Sequence, residues 1–579
     1  MRILLAYCLF FAISISNTFG SPPPTGYYWV GGTGNWSDIA NHWATSSGGN
    51  VFHLQVPTST DDVFFDNNSF TGAGQVVTID ATTIFFHNMD WTGALFNPQL
   101  SAPSSSIEMN VFGSFTLIAP MNFNSKGSVI FIGNSMGNTI TSAGQIFQNE
   151  VQFKGVGGGW TLQDALTLNG AAIATNTGLL TLSNGIFNTN SQSVTCLSFL
   201  SSNTNVRTLI MDNSLMTLTA SSPNTNHVTV WNTNSITNLT LSATGSTIQI
   251  TSPNRPAFFS AGKTYNNVIF TSISGVSTLI SGSGMIFNGD VTFSGSGTVT
   301  GGNTFNGALN FVNTGTLGGG SNICNGTTTF SSNASITSSN TFNGTLNFSA
   351  GKIYTLTSAT TQTIGASGTL TANGTCTATI NIESSLNGTQ ATISKVNGNL
   401  DVDQVIIQDI AAIVTASFSA NATNSIDAGN CTGWNFPPSS GVDMYWINGA
   451  GNWTDPTHWS LSSGGAPGTC IPGPGNNVFF NSNSFTSLSK TVTVNAGSVS
   501  CKNMDWTGAG FTPTFATTAS SNRVKIFGSL VLISAMTINS QILSFESRTS
   551  GNTITTAGKS LPGQIFFNGL GGTWTLLDN

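Results

Sequence analysis

Between about residues 101 and 436, short runs of β-branched and aromatic residues alternate with Asn-Gly, Ser-Gly and Thr-Gly pairs. That pattern predicts short strands joined by tight polar turns. No segment carries a convincing 3.6-residue apolar period, so helices should be scarce. One motif keeps returning: IFNGDVTF at Ile286, TFNGALNF at Thr304, ICNGTTTF at Ile323 and TFNGTLNF at Thr341. Its second positions, Phe287, Phe305, Cys324 and Phe342, are spaced by 18, 19 and 18 residues. IFQNEVQF at Ile146 and TYNNVIF at Thr264 are looser relatives. A period of about 18–22 residues fits one coil of a solenoid, which cannot bury its inward face alone and must stack on its neighbours. The expected fold is all-β: a right-handed parallel β-helix (β-solenoid) with inward Phe, Ile, Val and Leu, and ladders of stacked Asn and Thr. Roughly 17 coils of about 20 residues would make a rod on the order of 80 Å long. The rival fold, a string of β-sandwiches, would show Greek-key spacings instead.

A second pattern is superimposed on the first. YWVGGTGNWSDIANHWATSSGG at Tyr28 returns as YWINGAGNWTDPTHWSLSSGG at Tyr445, and NMDWTGA occurs in both copies. The offset is 417 residues at Trp29/Trp446 and 415 at Trp91/Trp506. VFGSFTLI at Val111 recurs as IFGSLVLI at Ile526, and GGGWTLQD at Gly157 as GGTWTLLD at Gly571. The chain therefore reads as one unit of about 415 residues and the opening of another. Stacked strands have open ends that need covering. The head before each stack is the expected cap, with Trp29, Trp36, Trp43 and Trp91 in one copy and Trp446, Trp453, Trp459 and Trp506 in the other. GTQATISK through GWNF should close the far end, with Trp434 and Phe436 as an aromatic plug. The division expected is a signal peptide over 1–20, a leader over 21–26, a Trp-rich head over 27–100, a solenoid over 101–436, a linker over 437–443, a second head over 444–517 and a truncated second solenoid over 518–579.

Composition sharpens this picture. Charged residues make up 6% of the chain and apolar residues 39%, with 39 Phe among them. Disordered chains combine low hydrophobicity with high charge, so this chain is not of that kind. Its net charge is −7 and it has no basic run, which excludes an electrostatic nucleic-acid footprint. Arg2, the apolar stretch Ile3 to Ile15 and Thr18-Phe19-Gly20 predict an export signal too short to span a bilayer. The mature protein is expected outside the cytoplasm, secreted or extracellular, with no membrane span after cleavage. Cys470 and Cys501 occur only in the second head, Phe86 standing in the first where Cys501 stands in the second, and that co-occurrence predicts a bond between them of about 3–4 kcal/mol. Cys376 with Cys431 is the weaker alternative, and Cys196 and Cys324 read as core residues.

Candidate chemistry is sparse. Asp38 with His42, Asp455 with His458, and Asp90 with Asp505 recur in both heads. An Asp–His pair is half of a triad, but no nucleophile is marked, so these residues are expected to lock the Trp cap through hydrogen bonds. Asp61, Asp62 and Asp66 suggest a cation cluster, yet Asn476, Asn477 and Asn481 replace them in the second copy, which argues against a required ion. Asp401, Asp403 and Asp409 form the only dense acid group of the solenoid, and its basic residues are seven: Lys126, Lys154, Arg207, Arg255, Lys263, Lys352 and Lys395. No catalytic residue, cofactor or metal site is expected.

The heads, GKTYNNVIF at Gly262 and the GTQATISK to GWNF closure resemble large exported repeat proteins of Bacteroidetes-type bacteria. The resemblance implies a β-helix surface adhesin, a class that often ends in a sorting domain and has no agreed catalytic residues. The sequence stops at Asn579 inside the recurring GGTWTLLDN motif, without a sorting domain, so a truncated reading frame is expected. The expectation for function is a non-catalytic structural or adhesive rod, monomeric, whose partner is a surface or glycan. The alternative is a carbohydrate-active β-helix, which would need a side groove with at least two carboxylates and a basic residue.

Overall fold

A computed structural model describes residues 25–169, 178–220, 227–253, 255–272, 278–436, 441–539, 542–561 and 563–578. The signal segment, most of the leader and residues 437–440 of the linker lie outside these. Strand makes up 45% of the chain, there is no α-helix among the described residues, and the strands wind into a parallel β-solenoid of about 21 turns.

Every third strand is paired, so each turn contributes one strand to each of three faces. One face is an unbroken sheet of 16 strands, from Thr83–Phe86 to Ile426–Asp427. The other two are interrupted, as runs of 10 and 8 strands and of 4, 11 and 3. Val129 pairs with Val151, Val151 with Leu180 and Phe293 with Phe311, so a turn takes 22, 29 or 18 residues. The strands stay in step whatever the length of the turn.

Two-residue periodicity explains why these segments are strands. In Val291-Thr292-Phe293, Leu309-Asn310-Phe311 and Thr328-Thr329-Phe330 the outer residues are buried and the middle one points out. Stacking then puts like on like. The rings of Phe270, Phe293, Phe311 and Phe330 stack with centroids 4.8, 5.1 and 4.8 Å apart. The repeat motif holds its register: Phe287 pairs with Phe305, Phe305 with Cys324, and Cys324 with Phe342. Polar stacks line the corners. Asn303, Asn322 and Asn340 are buried, and the side-chain oxygen of each accepts the backbone N–H of Met285, Asn303 or Asn322 one turn earlier. Outside, Asn306, Asn325 and Asn343 each donate Nδ2 to the amide oxygen one turn before, at 2.8, 2.7 and 2.8 Å.

Both Trp-rich heads are the first windings of their stacks rather than modules laid over them. Thr25–Trp29 pairs in parallel with Asp61–Phe64 and antiparallel with Trp43–Ala44. Asp443–Trp446 does the same with Asn477–Phe479 and Trp459–Ser460. These are the two antiparallel pairs between described strands, and each covers the first edge of one of its stack's three faces. The boundary drawn between residues 100 and 101 falls inside the strand Gln99–Ala102, and one core runs from Tyr27 to Ala422. At the far end Trp434–Asn435 pairs with Ala420–Thr423, and Trp434 and Phe436 lie half-buried against the core. A second core, Met444 to Ile554, belongs to the second stack.

The expected Cys470–Cys501 bond is not made. Cys470 bonds Cys376, across 94 residues. Cys501 ends an inward-facing strand of the second core, where burial pushes its thiol pKa up. Neither does Cys376 pair with Cys431, whose half-buried thiol lies 3.2 Å from the Ile407 carbonyl. The two cysteines peculiar to the second head face different ways: Cys501 into its own stack, Cys470 toward the first. Comparing the two copies cannot reveal a bond that joins one stack to the other.

Candidate functional site

The cap residues of the two heads superpose in chemistry. The Trp29 indole Nε1 donates to Gly32 O at 2.8 Å and stacks on His42 at 4.5 Å. Trp446 donates to Gly449 O at 2.6 Å and stacks on His458 at 4.8 Å. Trp43 and Trp459 donate to the carbonyls of Trp36 and Trp453, both at 2.8 Å, and Trp91 and Trp506 stack on Phe65 and Phe480 at 3.8 and 3.7 Å. All eight indoles are buried.

The Asp–His pairs serve this packing. His42 Nδ1 donates to the Val30 carbonyl at 2.6 Å, while its Nε2 stands 3.9 Å from Asp38. His458 repeats this with Ile447 at 2.9 Å and Asp455 at 4.0 Å. Asp38 accepts from Asn41 Nδ2, which holds its pKa below the usual value, and Asp455 is held low chiefly by Thr457. Asp90 and Asp505 accept the N–H of Thr92 and Thr507. Each histidine is committed to a backbone carbonyl and a tryptophan face, the geometry of a clamp rather than of a proton relay.

The suspected cation cluster dissolves in the same way. Asp61 accepts Thr58 N–H, Asp62 accepts Asn88 Nδ2 and Asp66 accepts Asn68 N–H. In the second head Asn476 accepts Gly473 N–H, Asn477 accepts Asn503 Nδ2 and Asn481 accepts Asn483 N–H. The oxygen is what both copies need; the charge is dispensable. Among the described residues no cluster of His, Cys, Asp and Glu could hold a metal ion. One contact went unread in the sequence: His87 Nδ1 lies 2.8 Å from Asp62. Its signal was the joint replacement of Asp62 and His87 by Asn477 and Lys502.

Asp401, Asp403 and Asp409 are not brought to one task. Asp401 accepts from Asn421 and Asp403 from Asn424, whereas buried Asp409 receives Arg548 Nη2 at 3.0 and 3.1 Å and Asn430 at 2.7 Å. Arg548 belongs to the second stack. With Cys376–Cys470 and an ion pair from Lys525 to Glu383 at 3.6 Å, it fixes that stack against the side of the first. The contact encloses a cleft of about 240 Å³, with Lys352 and Asn381 on one wall and Lys525 and Ser498 on the other. An adjoining, more apolar chamber of about 480 Å³ shares Thr379, Ile406 and Ile471 with it. Sequence reasoning about single units could not find this cleft, because neither unit contains it.

Away from the cleft, the 11-stranded face presents a column of half-exposed neutral side chains, Thr292, Asn310, Thr329, Asn347 and Thr371, one per turn. Fold and surface together define a β-solenoid repeat protein. Comparison with protein families, with curated proteins and with solved structures finds no match to the chain.

Proposed function

We propose that this chain is a non-catalytic structural or adhesive rod that works outside the cell, presenting a polar Ser/Thr/Asn wall to a surface or glycan. The observation that carries this reading is the outward column from Thr292 to Thr371, neutral at every step over five consecutive turns. Such a wall offers weak, repeated contacts whose strength comes from multiplicity. Three further features support it. The sequence resembles Bacteroidetes-type adhesins. The Asp–His pairs are consumed in packing tryptophans. The Cys376–Cys470 bond suits an oxidising, extracellular compartment.

The test couples retention to turnover. Beads carrying the chain from Ser21 onward are passed over immobilised acidic and neutral polysaccharides, and the eluate is assayed for new reducing ends and unsaturated sugars. Retention that grows with bead density, without product, is the expected result. Product release would overturn the reading in favour of a carbohydrate-active enzyme.

A further inference from the structure

The cleft between the stacks concentrates chemistry that the rest of the molecule lacks. Only 14 Lys and Arg serve 579 residues, yet Lys352 and Lys525 enter this one cleft from opposite walls. Glu383, 3.6 Å from Lys525, offsets one of the two charges. Lys352 forms no ion pair among the described residues. Beside it, Asn381 Oδ1 is buried and receives no hydrogen bond from the protein. An orphan acceptor of this kind is costly unless something donates to it. Ile353, Ile471 and Pro472 add an apolar surface to the same cleft. With its neighbouring chamber the space is of the order that encloses small ligands, about 300–1,000 Å³.

We propose that this cleft binds a short saccharide bearing a carboxylate, of the uronic-acid class. Lys352 Nζ donates to the carboxylate, a ring hydroxyl donates to Asn381 Oδ1, and the C–H face of the ring packs on Ile353 and Pro472. Lys525, tied to Glu383, sets the width of the site and contributes little net charge. The proposal names a ligand for the adhesive reading and rests on it for biological meaning, but not for the binding event itself.

The test is calorimetric titration of the chain, from Ser21 onward, with trigalacturonate and with a neutral galactose trisaccharide at low salt. Trigalacturonate should bind about tenfold more tightly than the neutral sugar, and Lys352→Gln should weaken it about fivefold. Lys126→Gln, remote from the cleft, should leave it unchanged, and circular dichroism should report an intact fold for both variants. Equal affinity for the two sugars, or equal losses in the two variants, overturns the site. No binding of trigalacturonate while beads are still retained on polysaccharide also overturns it, and leaves the adhesive reading standing. Binding followed by cleavage keeps the site and removes the adhesive reading.

Discussion

Gly34 and Gly451 show how tightly single positions are specified. A Cβ on Gly34 would stand 2.0 Å from His42 Nε2, and one on Gly451 2.1 Å from His458 Nε2. Gly34→Ala must therefore push the imidazole off Trp29, at about 1–3 kcal/mol for overpacking a filled site. A lowered melting temperature with loss of near-ultraviolet tryptophan signal is the expected result. Asp38 and Asp455 sit on the same clamp with depressed pKa values. A carboxyl whose folded pKa is lowered contributes stability above its ordinary value of 3.8 and loses it as pH falls through the folded value. Thermal scans from pH 7 down to about 2.5 should thus show an acid-side loss below about pH 4 that is smaller in Asp38→Asn. The tryptophans and their Asp–His partners were legible in the sequence because the chain writes them twice. The Asp-to-Asn exchanges were half legible: the lost charge could be read, but not that each oxygen still caps a turn.

Strands draw their stability from stacking rather than from their own short length. Phe311 lies between Phe293 and Phe330 in a continuous pile. Phe311→Ala should cost about 3–5 kcal/mol and, because each turn contacts chiefly its neighbours, raise hydrogen exchange first in the adjacent coils. Two buried cations bind turns together in a different way. Arg207 donates to Ser201 Oγ and to the carbonyls of Ser201, Asn205, Ser235 and Thr237, and Lys395 donates to the carbonyls of Gly365, Ala366 and Gly368. Arg207→Met keeps bulk but strands four carbonyls, so a loss of about 3 kcal/mol or more is expected in chemical denaturation. The 18–19-residue period made the central coils readable. It fails between residues 151 and 180, where a 29-residue turn hides the register that Val151 and Leu180 keep. Added residues between strands erase a period in the sequence without disturbing the pairing of the strands on either side.

Two stacks, each with its own core, are joined by one disulfide, two ion pairs and the surfaces around the cleft. Closing a loop of 94 residues contributes about 4–5 kcal/mol in the chain-entropy account. Cys376→Ser should leave both cores folded and loosen the joint. Small-angle scattering would then report a broader distance distribution, and proteolysis between residues 436 and 444 would accelerate. Nothing in the spacing of the six cysteines beyond residue 20 favoured this pairing, since it depends on how the second stack lies against the first. Arg548 was equally unreadable: its partner Asp409 is 139 residues away, and it packs on Gly429, where a Cβ would come within 1.9 Å. The antiparallel strands Trp43–Ala44 and Trp459–Ser460 have a consequence for how such a chain can lengthen. Each covers the opening edge of one of its stack's three faces, so that face cannot pair there with a neighbouring pile and is extended from its other end alone. A stretch of DNA encoding a pile together with its own stopper can then be copied in tandem without altering the blocks beside it.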